Sequence, residues 1–387
     1  MTDAALIDQV RELYGAGRRE PPRLFFAPGR ANLLGSHLDY NGGSVMPVAL
    51  SRGTYLAVGR LPEPLLRLRS AQFPGEEVEV PLADLRPRRT RSWSAYFEGA
   101  LWVSQRAWGQ LPGLEVAVCA DLPMARGLSS SASIECAGVY AMAALLEAPA
   151  SADEMIHLAH EAENAYVGVR CGILDQAAIL LARPGHLLHF DCLELTREHL
   201  PLGEELRIAV VDSGVQRELA TSAFNQRVAE CTQALATLQQ QLPGVTCLRD
   251  VSREAFEAHR DRLAPVLQRR VEHVVEEVQR TRRGSDALRA GHPAEFGRMM
   301  TAAHASLRDL YQVSTAELDT LVEASAAVEG CYGARLTGAG FGGCIVAILH
   351  PAAAADYQRQ VTDRYRQATG REAEIHWFDP SGGPEEI

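Results

Sequence analysis

Leu122-Pro-Met-Ala-Arg-Gly-Leu-Ser-Ser-Ser-Ala-Ser-Ile134 joins two segments of different periodicity. Before it, Leu114-Glu-Val-Ala-Val-Cys119 alternates as a half-buried strand does. After it, Ala132 to Leu146 is rich in Ala, Leu, Met and Ile and reads as a buried helix. A strand, a short Gly/Ser turn and a helix gather free backbone N–H groups at one helix N-terminus. Three hydroxyls (Ser129, Ser130, Ser131) and the cation Arg126 make this turn either a phosphate cradle or a serine-capped helix start. The lysine of a Walker-A loop is missing.

The chain has 387 residues, enough for two domains, because single cores stop growing at roughly 250–300 residues. Its 47% hydrophobic and 22% charged content is that of a soluble globular protein. A net charge of −11 argues against nucleic acid or an anionic membrane as partner and makes individual arginines informative. No apolar run approaches the about 20 residues of a membrane span. Eight scattered cysteines, none in a Cys-x-x-Cys pair, read as reduced core thiols of a cytoplasmic protein. Met1 to Val10 is an amphipathic helix and not a signal peptide.

Working outward, Arg23-Leu-Phe-Phe26 is a strand entering a polar loop, Ala27 to Gly43, which carries Arg30, Asn32, His37, Asp39 and Asn41. Such density suits a small ligand with several hydroxyls, or a loop whose polar groups satisfy one another. Ser44–Leu50 and Thr54–Val58 read as two strands, and residues 60–91 as a charged surface hairpin. A helix begins near Ser92, with Trp93 and Tyr96 on one face, either as core or as a platform for a base. Residues 152–167 form a helix whose His157 and His160 lack His-Glu-x-x-His spacing. Asp175 follows a glycine turn, as a cap or as a functional carboxylate. The domain change falls in the polar 194–205 segment, giving domains 1–195 and 196–387. A strand follows at 206–212, then a helix from Arg217 to Leu242 and helices from Glu254 to about Leu310. Gly338, Gly340 and Gly342 have dinucleotide-like spacing but precede a strand, so the Rossmann fingerprint fails on context. The tail from Ser381 is expected to fray.

Taken together, Gly29 to Gly43, Gly127-Leu-Ser-Ser-Ser-Ala-Ser133 and Leu336-Thr-Gly-Ala-Gly-Phe-Gly-Gly-Cys344 resemble the three motifs of the galactokinase branch of the GHMP small-molecule kinases. Residues 167–176 and 306–314 also match. The resemblance implies an α/β N-terminal domain, a C-terminal ferredoxin-like α+β domain and an active site in the cleft between. It implies ATP and Mg²⁺ as cofactors, a monomer, and phosphorylation of a sugar at its anomeric C1 hydroxyl. Arg30 and Asp175 fall on the catalytic pair, and Ser36, His37, Asp39, Gly172, Asp175 and Phe224 on sugar positions. Trp93, Arg126, Gly127, Leu128, Ser129, Ser130, Ser131 and Ala132 fall on the nucleotide. Ser130 or Ser131, with Glu163, falls on magnesium.

Four positions depart from the pattern. Ser36 stands where the family carries Glu, Leu38 where it carries Thr, Phe224 where it carries Tyr, and Ala125-Arg126 where it carries Gly-Ala or Gly-Gly. The Glu position is associated with the C6 hydroxyl, so Ser36 leaves galactose and galacturonate both open. Arg170 reads as a counter-charge for a C6 carboxylate or as an exposed arginine. Arg30, Asp175 and Glu163 are all present, which gives a non-catalytic sugar sensor no positive support.

Overall fold

The computed structural model describes residues 3–15, 21–90, 92–123, 126–215 and 220–387. Helix α1 (Ala4–Tyr14) starts where the Asp3 carboxylate accepts the Ala5 N–H. Then come β1 (Arg23–Leu34), β2 (Ser44–Leu61), β3 (Leu65–Ser70), β4 (Glu77–Pro81), α2 (Trp93–Trp108), β5 (Gly113–Ala120) and α3 (Ser130–Leu145). Next are α4 (Ala152–Glu161), α5 (Leu174–Leu180), β6 (His186–Asp191) and β7 (Arg197–Pro201). The second half holds β8 (Arg207–Asp212), α6 (Ala220–Gln239), α7 (Arg253–His259), α8 (Pro265–Arg289), α9 (Pro293–Ser306) and α10 (Ala316–Ala326). It closes with β9 (Cys331–Leu336), β10 (Cys344–Leu349), α11 (Ala354–Thr369), β11 (Glu374–Phe378) and β12 (Glu385–Glu386).

The first sheet runs β12-β1-β2-β5-β3-β4, with β6 beside β2 and β7 beside β6. Period-two alternation divides its side chains. Leu24, Phe26, Tyr55, Ala57, Ala117 and Cys119 pack under α1, whereas Phe25, Ala27, Leu56, Val58, Val116 and Val118 join the core beneath α2 and α3. The second sheet, β11-β8-β10-β9, is antiparallel. Ile208, Val210, Val346 and Ile348 on one of its faces share a cluster with Ala31, Leu33, Met46 and Val48 of the first sheet. This apolar seam fixes the two halves against each other and sets the cleft beside it.

Several local expectations change. The stretch after Phe26 is strand as far as Leu34, because non-local pairing with β2 overrides its glycine and asparagine punctuation. Ser44–Leu61 is one strand, not two. The helix expected over 152–167 ends at Glu161 and widens into a π-turn, Ala162–Val167. β7 still pairs with β6, so the first sheet continues past residue 195. The tail does not fray: Glu385 and Glu386 pair with Phe26 and Phe25, and both Glu386 oxygens accept from the Arg23 guanidinium. The expected helix start at Arg217 and the Ala125 departure lie outside the described residues. All eight cysteines are free, and among the described residues no helix is long and apolar enough to cross a membrane.

Candidate active site

A cleft of about 360 Å³ opens between the halves. β1 forms its floor. The pairing of β1 with β2 slips between Pro28 and Arg30 and again between Asn32 and Leu34. These irregularities bracket a regular stretch in which Arg30 and Asn32 share a face and enter the cleft, while Ala31 packs into the apolar seam. Gly29 has no side chain for a reason: a Cβ there would lie 2.7 Å from the Leu128 carbonyl oxygen, where the Gly/Ser turn crosses the strand. Across that contact the Arg30 N–H donates to Leu128 O at 3.1 Å.

Arg30 and Asp175 meet in the centre. Arg30 Nε and Nη2 lie 2.8 and 2.6 Å from Asp175 Oδ1, and Nη1 donates to Gly127 O at 2.6 Å. The Ser129 hydroxyl donates to Asp175 Oδ2. Ser129 sits in the left-handed region (φ 59°) and makes no side-chain cap bond to α3. The helix-cap account of that serine therefore fails; it braces the carboxylate instead. The Ser131 hydroxyl donates to Glu163 Oε1 at 3.2 Å, and Gln176 Nε2 and the Cys171 thiol donate to Glu163 Oε2 at 2.7 and 3.2 Å. Burial, and then the charge of Asp175, raise the Glu163 carboxyl above its ordinary value. Ser130 lines the cleft, while Ala132 is fully buried and brings no side chain to it.

The opposite wall holds Ser36, His37 and Asp39. Gly172 has to be glycine, since a Cβ would lie 2.2 Å from Asp39 Oδ2. Burial and the neighbouring Asp175 push the Asp39 carboxyl up to about 6. His37 (φ 60°) accepts or donates at Nδ1 to Tyr40 at 2.9 Å, and Tyr40 Oη meets Tyr311 Oη at 2.7 Å. Burial, then His273, Arg335 and Arg227, hold His37 well below the usual imidazole range, so it is neutral. Phe224 from α6 packs 5.8 Å from its ring and closes the wall.

Two expected residues are placed differently. Arg126 is not free for phosphate: Nε pairs with Asp212 Oδ2 at 2.8 Å and Nη1 donates to Val215 O at 3.2 Å, which ties the turn to the end of β8. Trp93 does not line the cleft. Its ring is parallel to Phe73 at 5.6 Å, and Nε1 donates to Glu76 at 3.0 Å. Arg170 is exposed. Behind the wall of Ser36, His37 and Asp39 lies Arg335, fully buried, which donates to the Ser36 hydroxyl and lies 3.6 Å from the equally buried Glu277. Nothing local marks Arg335 as a site residue, because its partners are far away in sequence. The only sign is its place just before the third motif.

The cleft, the turn leading into α3 and the glycine turn at Gly338 and Ala339 define a GHMP small-molecule kinase. Residues 95–183 match the GHMP kinases N terminal domain and residues 285–367 the GHMP kinases C terminal domain. Residues 11–60 match the galactokinase galactose-binding signature. The galactokinase of Roseiflexus sp. (strain RS-1) is 40% identical over 378 residues, covering 98% of this chain and 95% of that one. That of Bacillus subtilis (strain 168) is 36% identical over 375 residues, covering 96% of each. The crystal structure of Lactococcus lactis galactokinase complexed with galactose superposes with a TM-score of 0.94 at 33% identity, over 99% of both chains. Methanococcus jannaschii mevalonate kinase (17% identical, TM-score 0.66, 94% of this chain and 100% of that one) shares the fold. The chain belongs to the galactokinase family and is a sugar kinase.

Proposed function

We propose that the protein transfers the γ-phosphate of ATP to the C1 hydroxyl of D-galactose. The observation that carries this is the Arg30–Asp175 pair, which stands between the Gly/Ser turn and the wall of Ser36, His37 and Asp39. Phosphoryl transfer needs positioning and charge more than covalent help. Asp175, braced on both oxygens, orients the C1 hydroxyl and can take its proton. Arg30 spans from that carboxylate to the Gly127 carbonyl, so the same guanidinium meets the charge that develops on the transferring group. The backbone N–H groups at the start of α3 receive the phosphates.

Glu163 and Ser131 are oxygen donors already in contact, a set that suits Mg²⁺, which takes one or two protein ligands and fills the rest with phosphate and water. When bound there it supplies charge neutralisation to the ATP phosphates. Gln176 and Cys171 hold the Glu163 carboxylate in place for it.

A second reading is favoured by Arg335. Where the family carries a carboxylate, this chain has Ser36 backed by a buried guanidinium, so at that position the C6 carboxylate of galacturonate would meet a hydroxyl with a cation behind it in place of a like charge. Both readings are tested by incubating the protein with ATP, Mg²⁺ and either sugar and identifying the product. An anomeric phosphate of galactose supports the first, one of galacturonate the second. No product from either sugar, with sugar still bound, would make the protein a sensor.

A further inference from the structure

The β1 floor carries a second polar side chain that the proposed chemistry leaves unused. Asn32 is 3% exposed and lines the cleft two residues from Arg30. Its backbone is pinned on both sides: its N–H donates to Thr337 Oγ1 at 3.1 Å, and its carbonyl accepts from the same hydroxyl at 3.4 Å. The backbone is therefore fixed, yet among the described residues Asn32 Oδ1 is buried without a hydrogen-bond partner. A buried acceptor left unmet is costly, and such an atom in a cleft is explained when a ligand completes it.

Resting on the reading that the cleft takes a sugar, we propose that Asn32 is a sugar-binding residue whose carboxamide oxygen accepts from a ring hydroxyl. The chemistry selects the sugar over the phosphates of the nucleotide. An orphaned acceptor needs a donor; sugar hydroxyls are donors, whereas the ionised oxygens of ATP phosphates are acceptors only. Position agrees. Asn32 lies about 7 Å along the strand from Arg30, at ~3.3 Å per residue. Along β1 that sets it between Arg30, which holds Asp175, and Ser36 on the far wall.

The test uses the whole chain as wild type, Asn32→Leu and Asn32→Asp. Thermal midpoints are measured alone, with galactose, and with a non-hydrolysable ATP analogue plus Mg²⁺, together with both KM values. Asn32→Leu removes the unmet acceptor, so its ligand-free midpoint should equal or exceed that of the wild type. Its galactose-induced rise should shrink and its galactose KM should increase about three- to tenfold, with the analogue-induced rise unchanged. Asn32→Asp keeps an acceptor oxygen and should hold the galactose KM within about threefold; it decides the matter if Asn32→Leu does not fold. The proposal is overturned by an undiminished galactose shift in Asn32→Leu, by loss of the analogue shift in its place, or by an Asn32→Asp variant that loses ATP and keeps galactose. A wild-type protein that galactose does not stabilise at all would instead overturn the sugar reading itself.

Discussion

Ser36→Glu is the most informative single change, because the structure gives both the size and the sign of its effect. Ser36 is 3% exposed, and its hydroxyl accepts from Arg335, which lies 3.6 Å from the Glu277 carboxylate. A glutamate here would face Arg335 on one side and the sugar's C6 substituent on the other. Against a C6 hydroxyl it adds an acceptor, worth about 0.5–1.5 kcal/mol. Against a C6 carboxylate at about 4 Å it adds like-charge repulsion of roughly 1 kcal/mol in water and about 4 kcal/mol near a protein surface. Both effects push the same way, so the ratio of kcat/KM for galactose over galacturonate should rise by at least about tenfold, about 1.4 kcal/mol. Ser36→Gln, of similar bulk and no charge, separates repulsion from size and should shift the ratio far less. The assay is initial-rate phosphorylation of each sugar at saturating ATP. A ratio that stays flat in Ser36→Glu, or moves equally in Ser36→Gln, would refute the electrostatic account of this wall.

Three further outcomes follow from the same geometry. Arg126→Ala breaks the 2.8 Å contact with Asp212; if the pair anchors the turn, Arg126→Ala and Asp212→Ala should each raise the ATP KM, and the double variant should cost no more than either single one, as a double-mutant cycle will show. The Asp39 carboxyl, pushed up to about 6 in the ligand-free protein, would accept a sugar hydroxyl more strongly as the carboxylate than as the acid. A pH profile should therefore show kcat/KM for the sugar falling as pH drops through about 6, a limb absent in Asp39→Asn; because this folded value lies above the ordinary 3.8, the same group lowers stability as pH rises between the two values. Gly172→Ala would put a Cβ 2.2 Å from Asp39 Oδ2, so titration calorimetry should find sugar affinity reduced at least about tenfold, the scale of one displaced charge-assisted hydrogen bond.

What could be read from the sequence was what local chemistry determines. Residues 114–146 showed their strand, turn and helix because alternation, a Gly/Ser cluster and an apolar run each act over a few positions. Arg30 and Asp175 could be named, and the structure brings them together. What stayed hidden depends on partners distant in the chain. Arg126 reads as a free cation until Asp212 arrives from the second sheet, and Arg335 reads as an ordinary strand residue until Ser36 is found beneath it. Ser129 reads as a helix cap, but its left-handed backbone turns the hydroxyl away from the helix and onto Asp175. The tail carries turn residues, two acids and a single apolar residue, Ile387, and its strand exists because β1 offers it an edge.

The account centres on Asp175, and one variant tests it most directly. Asp175→Asn keeps the shape of the group held by Arg30 and Ser129 but removes its ability to take the C1 hydroxyl proton. Single-turnover formation of galactose 1-phosphate should slow by on the order of 10²–10⁴. Affinity for the non-hydrolysable ATP analogue, measured on the same preparation, should stay within about threefold, since that change is under 1 kcal/mol. Near-normal turnover with nucleotide binding intact would contradict the account and remove Asp175 from the reaction.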